Sequence, residues 1–163
     1  MKLLIVTPTL NEGHRIGTHL KNLKESLLAL RNHVECECIF VDGGSTDTTI
    51  EKLEKSGYVY KIKPKSNIYE AFNVGLNYAF DTQFDYVMFL GVGDIFKSDA
   101  LLSKLFELKM RLPTDCVIFS DFHWSNGKRV DATFTLANGL MGFPHAGTIF
   151  PLSFFNDNLF DDV

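Results

Sequence analysis

An α/β/α sandwich with a mostly parallel central sheet, passing into a β-rich and less regular C-terminal part, is the fold this sequence predicts. Three observations carry the prediction. Short unbroken apolar runs, Leu3 to Val6, Cys38 to Val41 and Tyr86 to Leu90, suit strands covered on both faces. Segments with helical apolar spacing lie between them, so strand and helix alternate through about residue 120. The 163 residues, 45% hydrophobic and 22% charged, fit one soluble domain large enough to bury a core.

Leu3 to Val6 reads as a buried first strand, and Thr7 to Glu12 as the loop after it. Ile16, Leu20, Leu23, Leu27 and Leu30 then form one apolar stripe along a helix. A second strand ends at Val41. Ile50 and Leu53 begin the inner face of a short helix that Gly57 stops, and Tyr58 to Ile62 is a third strand. Ile68, Phe72, Leu76 and Ala79 mark the next helix, and Tyr86 to Leu90 the next strand. Leu101, Leu102, Leu105, Phe106 and Leu112 predict a fourth helix, Val117 to Phe119 a strand, and Asn126-Gly127 a hairpin turn. Thr148 to Phe155 reads as a strand running into a new element, after which no packing partner follows. The sequence is therefore expected to be C-terminally truncated.

Composition removes several function classes. A net charge of −4 without a Lys/Arg block argues against a nucleic-acid partner. Cys36 and Cys38 alternate along a strand and share one side, and Cys116 opens another apolar run. They read as buried thiols in a reducing compartment, with no zinc-like His/Cys spacing. No signal peptide is recognisable, and no apolar run approaches the ~20 residues that span a bilayer. A cytoplasmic chain is expected, with a peripheral place at the inner face of the membrane left open.

Three strand ends carry the polar groups: Thr7 to Glu12, Asp42 to Asp47, and Gly91 to Asp94. Parallel strands would bring all three to one sheet edge, where open α/β sheets bind ligands. Gly43 and Gly44 permit a tight turn, and Ser45 to Asp47 can cap the following helix. Asp94, after a Gly-x-Gly turn, is placed to be a hard oxygen ligand. Mg²⁺ or Mn²⁺ bridging a diphosphate needs few protein carboxylates. Capping of a short turn is the alternative role for Asp94.

Pro8-Thr9-Leu10-Asn11-Glu12, Val41-Asp42-Gly43-Gly44-Ser45-Thr46-Asp47, Asn67-Ile68-Tyr69-Glu70-Ala71-Phe72-Asn73-Val74-Gly75 and Phe89-Leu90-Gly91-Val92-Gly93-Asp94 occur in that order. Together they resemble the family-two glycosyltransferases of the GT-A fold, a Rossmann-type sandwich. The branch most similar carries a "GIYDAMNKG"-type helix and "FLNSGD" at its metal site, and is common in bacterial polysaccharide assembly. Pro144-His145-Ala146 resembles that branch's "HQ" segment, so the likeness spans nearly the whole chain.

The resemblance implies one glycosyltransferase-like domain over 1–163, with 1–95 the nucleotide-binding half and 96–163 part of the acceptor side. It implies inverting transfer of a sugar from a UDP- or GDP-linked donor to a saccharide or lipid-linked acceptor. Thr7, Pro8, Asn11 and Glu12 would line the base and ribose pocket with Asp42 and Ser45. Lys65, Asn67 and Asn73 would face the nucleotide or its sugar. Asp94 would bind the divalent metal, Mn²⁺ or Mg²⁺, and His145 would contact the acceptor or serve as a buried structural histidine. The catalytic base is unassigned and expected beyond Val163, since Asp161 and Asp162 resemble the acidic turn before it.

Departures are visible as well: Gly91 stands where relatives keep Asn, Val74 where Lys is common, and Ala146 where Gln follows the histidine. The alternative reading is a non-catalytic nucleotide- or sugar-binding module of the same fold. A nucleotidyltransferase would want a Gly-rich basic loop after the first strand, which Thr7 to Glu12 does not provide. Two further expectations follow. Asp42→Ala should remove nucleotide binding and leave the fold intact, and Phe154, Phe155 and Phe160 should form an uncovered apolar surface open to self-association as a homo-oligomer.

Overall fold

The protein is described by a computed structural model over residues 1–95, 118–119, 148–156 and 159–160. Its strands are β1 (Lys2–Thr9), β2 (Glu35–Asp42), β3 (Val59–Ile62), β4 (Tyr86–Phe89), β5 (Ile118–Phe119) and β6 (Thr148–Pro151). They form one sheet in the order β3-β2-β1-β4-β6-β5. β3, β2, β1 and β4 run parallel to one another, β6 runs antiparallel to β4, and β5 runs antiparallel to β6. Helices α1 (Ile16–Leu30), α2 (Thr49–Ser56) and α3 (Ile68–Asp81) make the crossovers, and a 3₁₀-helix (Leu152–Phe155) follows β6. The helix expected around Leu101 to Leu112, the Asn126-Gly127 turn, Cys116 and His145 lie outside the described residues. Among the described residues no helix is long and apolar enough to cross a membrane.

Alternation along the strands explains the unbroken apolar runs. Leu3 and Ile5 of β1 pack with Phe40, Met88, α1's Ile16, Leu23 and Leu30, and α2's Leu53. Leu4 and Val6 point the other way, to Ile39, Val41, Phe89 and α3's Phe72 and Leu76. β1, β4 and the second half of β2 are buried on both faces, which is why their apolar runs are unbroken, whereas the edge strand β3 is largely exposed.

The apolar runs understate two strands. β1 continues past Val6 to Thr9, because Thr7, Pro8 and Thr9 stay in register with Phe40, Val41 and Asp42. β2 likewise includes Asp42. On α1 the buried residues are Ile16, His19, Leu23 and Leu30, while Leu20 and Leu27 are only partly covered.

Helix ends follow local chemistry. Gly57 takes the left-handed conformation (φ 77°) that ends α2. Asn67 caps α3 in a reciprocal box, accepting from the Glu70 N–H while the Glu70 carboxylate accepts from the Asn67 N–H. Gly75 lets α3 approach β1 closely, since a Cβ there would overlap the Val6 side chain.

The expected apolar exposure near the C-terminus is largely absent. Phe155 is buried, and Phe160 packs on Tyr69, Phe72 and Phe89 with ring centroids 5.6, 5.3 and 5.5 Å away. Of the three phenylalanines only Phe154, 49% exposed, meets solvent substantially. The aromatic cluster on the α3 side of the sheet absorbs the others, which removes most of that basis for self-association.

Candidate functional site

The parallel strands β1, β2 and β4 end at one edge of the sheet, and their loops carry the polar residues singled out above. The carboxylate of Asp42 organises two of the loops from inside. It is fully buried, and each of its oxygens accepts two hydrogen bonds. Oδ1 takes the N–H groups of Gly44 (2.9 Å) and Ser45 (2.7 Å). Oδ2 takes the hydroxyls of Thr9 (3.0 Å) and Ser45 (2.7 Å). A carboxylate has about four good acceptor positions, so this one is filled. Gly44, at φ 95° with the Pro64 backbone close to where a Cβ would stand, supplies the turn around it.

The β1 and β2 loops are then tied to each other. Asn11, in the left-handed conformation (φ 53°), donates its N–H to Ser45 Oγ (2.8 Å) and accepts the Thr46 N–H at Oδ1 (2.9 Å). Asp47 accepts the Gly13 N–H at Oδ2 (2.8 Å) and the Thr49 N–H at Oδ1 (2.9 Å), and Lys52 Nζ donates to the Gly13 carbonyl (2.6 Å). The Thr49 hydroxyl, which also donates to Asp47, is the first reason its carboxyl lies below the usual range; the main-chain donors add to it. The β3 loop joins through main-chain bonds, Lys63 N–H to Asp42 carbonyl (2.8 Å) and Lys65 N–H to Gly43 carbonyl (2.9 Å). Lys65 is left-handed too (φ 61°), a conformation that non-glycine residues adopt where surroundings enforce it.

At the β4 end, the chain closes a turn in which Gly91 N–H donates to Asp94 Oδ2 (3.0 Å) and Asp94 N–H donates to the Gly91 carbonyl (3.1 Å). Asp94 Oδ1 accepts no hydrogen bond among the described residues. Arg15 stands beside this turn. Its guanidinium grips Glu12 in a two-point pair (2.8 and 2.6 Å), which raises its pKa, and the charge of Asp94 adds to the effect. Arg15 Nη1 would lie 3.5 Å from a Cβ at Gly93. No three His, Cys, Asp or Glu side chains gather as a metal site among the described residues. What is present fits a cation that shares phosphate oxygens with one protein carboxylate, and not a cation held by protein alone.

The predicted site residues divide accordingly. Pro8, Asn11, Glu12, Ser45, Lys65, Asn67 and Asp94 are at least partly accessible in the loops or helix starts at this edge. Thr7 and Asp42 are 0% exposed; the Thr7 hydroxyl lies 3.6 Å from Cys38 Sγ. Asn73 is engaged elsewhere, its amide pairing at both ends with the main chain of Phe160 (2.8 and 3.0 Å). Asn67 spends its side-chain oxygen on the α3 cap. Arg15 and His19 were not among the expected residues. For His19 a signal existed, a polar residue on the buried stripe of α1. Arg15 has none beyond its spacing from Glu12. A groove of about 600 Å³, lined by Phe84, Asp85, Tyr86, Pro151 and Leu152 among others, is at the opposite edge, where β4 begins.

Several solved structures share this architecture. TarS of S. aureus matches with a TM-score of 0.68 and 20% identity, covering 97% of this chain and 30% of that one. A mannosyltransferase of Pyrobaculum calidifontis, in complex with GDP-Man and Mn²⁺, matches at 0.69 and 16%, covering 99% and 48%. Glucosyl-3-phosphoglycerate synthase of Mycobacterium tuberculosis, in complex with UDP, matches at 0.60 and 19%, covering 93% and 57%. These likenesses establish the GT-A-like fold, and the chain spans from about a third to somewhat over half of those proteins' lengths. No curated protein matches by sequence. The family described as Glycosyl transferase family 2 matches residues 4–153, nearly the full length, and the chain belongs to that family.

Proposed function

We propose that this chain binds the nucleoside-diphosphate part of a sugar donor at the shared edge of β1, β2 and β4. The full-length protein would transfer the sugar, with inversion, to a saccharide or lipid-linked acceptor in polysaccharide assembly. One observation carries the reading: the loops at that edge are locked around buried Asp42, while Asp94 at the same edge keeps a carboxylate oxygen unengaged. Asn11, Pro8 and half-buried Gly43 offer a surface for base and ribose, with Lys65 an ammonium group for phosphate. Thr7, Thr9 and Asp42 shape that surface without touching the ligand, and Asn73 serves it by anchoring Phe160.

Asp94 would hold a divalent cation brought by the diphosphate. Such a cation offsets charge developing on the leaving nucleoside diphosphate. Arg15 neutralises Glu12, so the edge does not present that carboxylate to an incoming anion. UDP and GDP are favoured because TarS is known with UDP-GlcNAc and the mannosyltransferase with GDP-Man. Free thiols at Cys36 and Cys38 support a reducing, cytoplasmic setting. The single carboxylate at the β4 turn also suits a binding module without catalysis, and sugar transfer by the full-length protein separates the two.

Calorimetry with UDP, GDP and ADP, each with Mn²⁺ and with EDTA, tests the binding. The expected result is cation-dependent binding of UDP or GDP in the micromolar to millimolar range, with Asp94→Asn losing only the cation-dependent part. Absence of heat with every nucleotide overturns the reading. Binding unaffected by EDTA removes the cation from it.

A further inference from the structure

Both ring nitrogens of His19 lack a hydrogen-bond partner, and they are the buried side-chain polar atoms left in that condition among the described residues. The residue is 3% exposed, on the inner face of α1, with its ring edge-on to Phe40 at a centroid distance of 6.1 Å. Burial is the main influence on its pKa and lowers it, and in either protonation state the ring carries at least one N–H. Leaving a buried polar atom unpaired costs about 1–3 kcal/mol. Phe or Leu on the same stripe would avoid that cost.

The location gives the orphan ring a use. A cavity of about 10 Å³, bounded by His19, Asn22, Leu23, Leu90 and Asp94 among others, lies between the ring and the Gly91–Asp94 turn. The Asp94 main-chain carbonyl faces the ring closely enough to favour its protonated form, yet no hydrogen bond of good geometry is made. The Asp94 carboxylate meanwhile rests on the Gly91 N–H. Engaging a cation through the free Oδ1 leaves the position of the turn's main chain to be set by its other contacts. The ring N–H is a donor beneath that segment, where Leu23 and Leu90 offer none, and the cavity gives it room to approach.

Resting on the reading of Asp94 as the residue that meets the diphosphate's cation, we propose that His19 is a positioning residue for Asp94. Its ring N–H donates to the Asp94 main-chain carbonyl once the nucleotide and cation are bound, and so fixes the turn in its binding form. Groups that orient a metal ligand from behind typically change metal affinity by about 10–100-fold when removed.

The test follows the ring directly. In wild-type protein with isotopically labelled histidine nitrogens, saturation with UDP and Mg²⁺ should move the His19 pair towards the signature of a hydrogen-bonded N–H. Assignment comes from the signal missing in His19→Gln. In parallel, His19→Phe should weaken Mn²⁺-dependent UDP binding by about 10-fold, read by calorimetry and by the Mn²⁺ resonance spectrum, while matching or exceeding wild-type stability in urea. His19→Gln, which keeps an N–H donor, should retain most of the affinity. Unchanged His19 signals, or a His19→Phe variant that binds UDP and Mn²⁺ as wild type does, overturn the proposal and leave a structural core histidine. If His19→Phe does not fold, the wild-type spectra decide. Wild-type protein that binds UDP with neither cation overturns the nucleotide site itself, a distinct failure that takes this inference with it.

Discussion

Replacing Asp42 separates an indirect role from a direct one. Asp42→Ala deletes the acceptor for two main-chain N–H groups and two hydroxyls. Thr9 is 4% exposed, so its hydroxyl loses a partner that water cannot easily replace, whereas the Gly44 and Ser45 N–H groups are part-buried and can be partly rehydrated. One buried orphan at about 1–3 kcal/mol, plus charge-assisted bonds of about 1.5–3 kcal/mol each that water partly restores, gives a loss near 3–5 kcal/mol. That is a large share of the roughly 5–15 kcal/mol that holds a domain together. At about 2–4 °C per kcal/mol for a chain of this size, Tm should fall by about 6–20 °C. The expectation of an intact fold for this variant is therefore revised.

Asp42→Asn is the informative partner. Its oxygen can still accept from Gly44 and Ser45, and its NH₂ can donate to the Thr9 and Ser45 hydroxyls, which rotate to accept. The cost should be about 1–2 kcal/mol, a charge-assisted bond becoming a neutral one. Urea unfolding and calorimetry with UDP and Mn²⁺ on both variants check the argument. Asp42→Asn should keep UDP affinity within a few-fold of wild type. A variant with wild-type stability that has lost UDP binding would place Asp42 on the nucleotide and refute the reasoning.

Gly75→Ala should destabilise despite the helix propensity it gains: the gain is about 1 kcal/mol, the overlap with Val6 costs about 1–3 kcal/mol, and a raised urea midpoint would contradict the close contact of α3 with β1. Asp47 contributes through a pKa depressed in the folded state, so its stabilisation is present above the ordinary carboxylate pKa of about 4 and is lost as pH falls through the folded value. The difference in urea midpoint between wild type and Asp47→Asn should therefore shrink as the pH is lowered below about 4, and a pH-independent difference would remove Asp47 from the knit. Burial pushes the Cys36 thiol up to about 12 and raises that of Cys38, so peptide mapping after brief alkylation near neutral pH should find both unmodified in native protein and both modified in urea.

The fold was legible because burial on both faces leaves a strong mark. Leu3 to Val6 and Tyr86 to Leu90 could be little other than central strands, and the stripes of α1 and α3 follow helical spacing. Strand ends were less legible, since Thr7, Thr9 and Asp42 are polar by type yet buried by register. Motif order located the edge but not the direction of each side chain. Asp42 faces inward with Thr9 and Phe40, a parity that follows from β2 pairing with β1, and no single-strand pattern carries it. The pairing of Asn73 with the main chain of Phe160, 87 residues away, has no mark in the sequence around either residue.

The charges at the sheet edge show why one carboxylate stands apart. Asp42 and Asp47 spend their charge on main-chain and hydroxyl donors, which is what gives the β1 and β2 loops a single shape. Glu12 spends its charge on Arg15. Each of these anions is matched within its own loops or the neighbouring one, so none adds a repulsive field against a diphosphate. Asp94 is matched only halfway, by one amide and a distant guanidinium. A lone half-matched carboxylate binds a free divalent cation weakly, because most of the hydration shell stays in place. The same carboxylate becomes effective when phosphate oxygens supply further ligands. On the proposed reading the edge takes nucleotide and cation together, and cation affinity in the absence of nucleotide is not required by its chemistry.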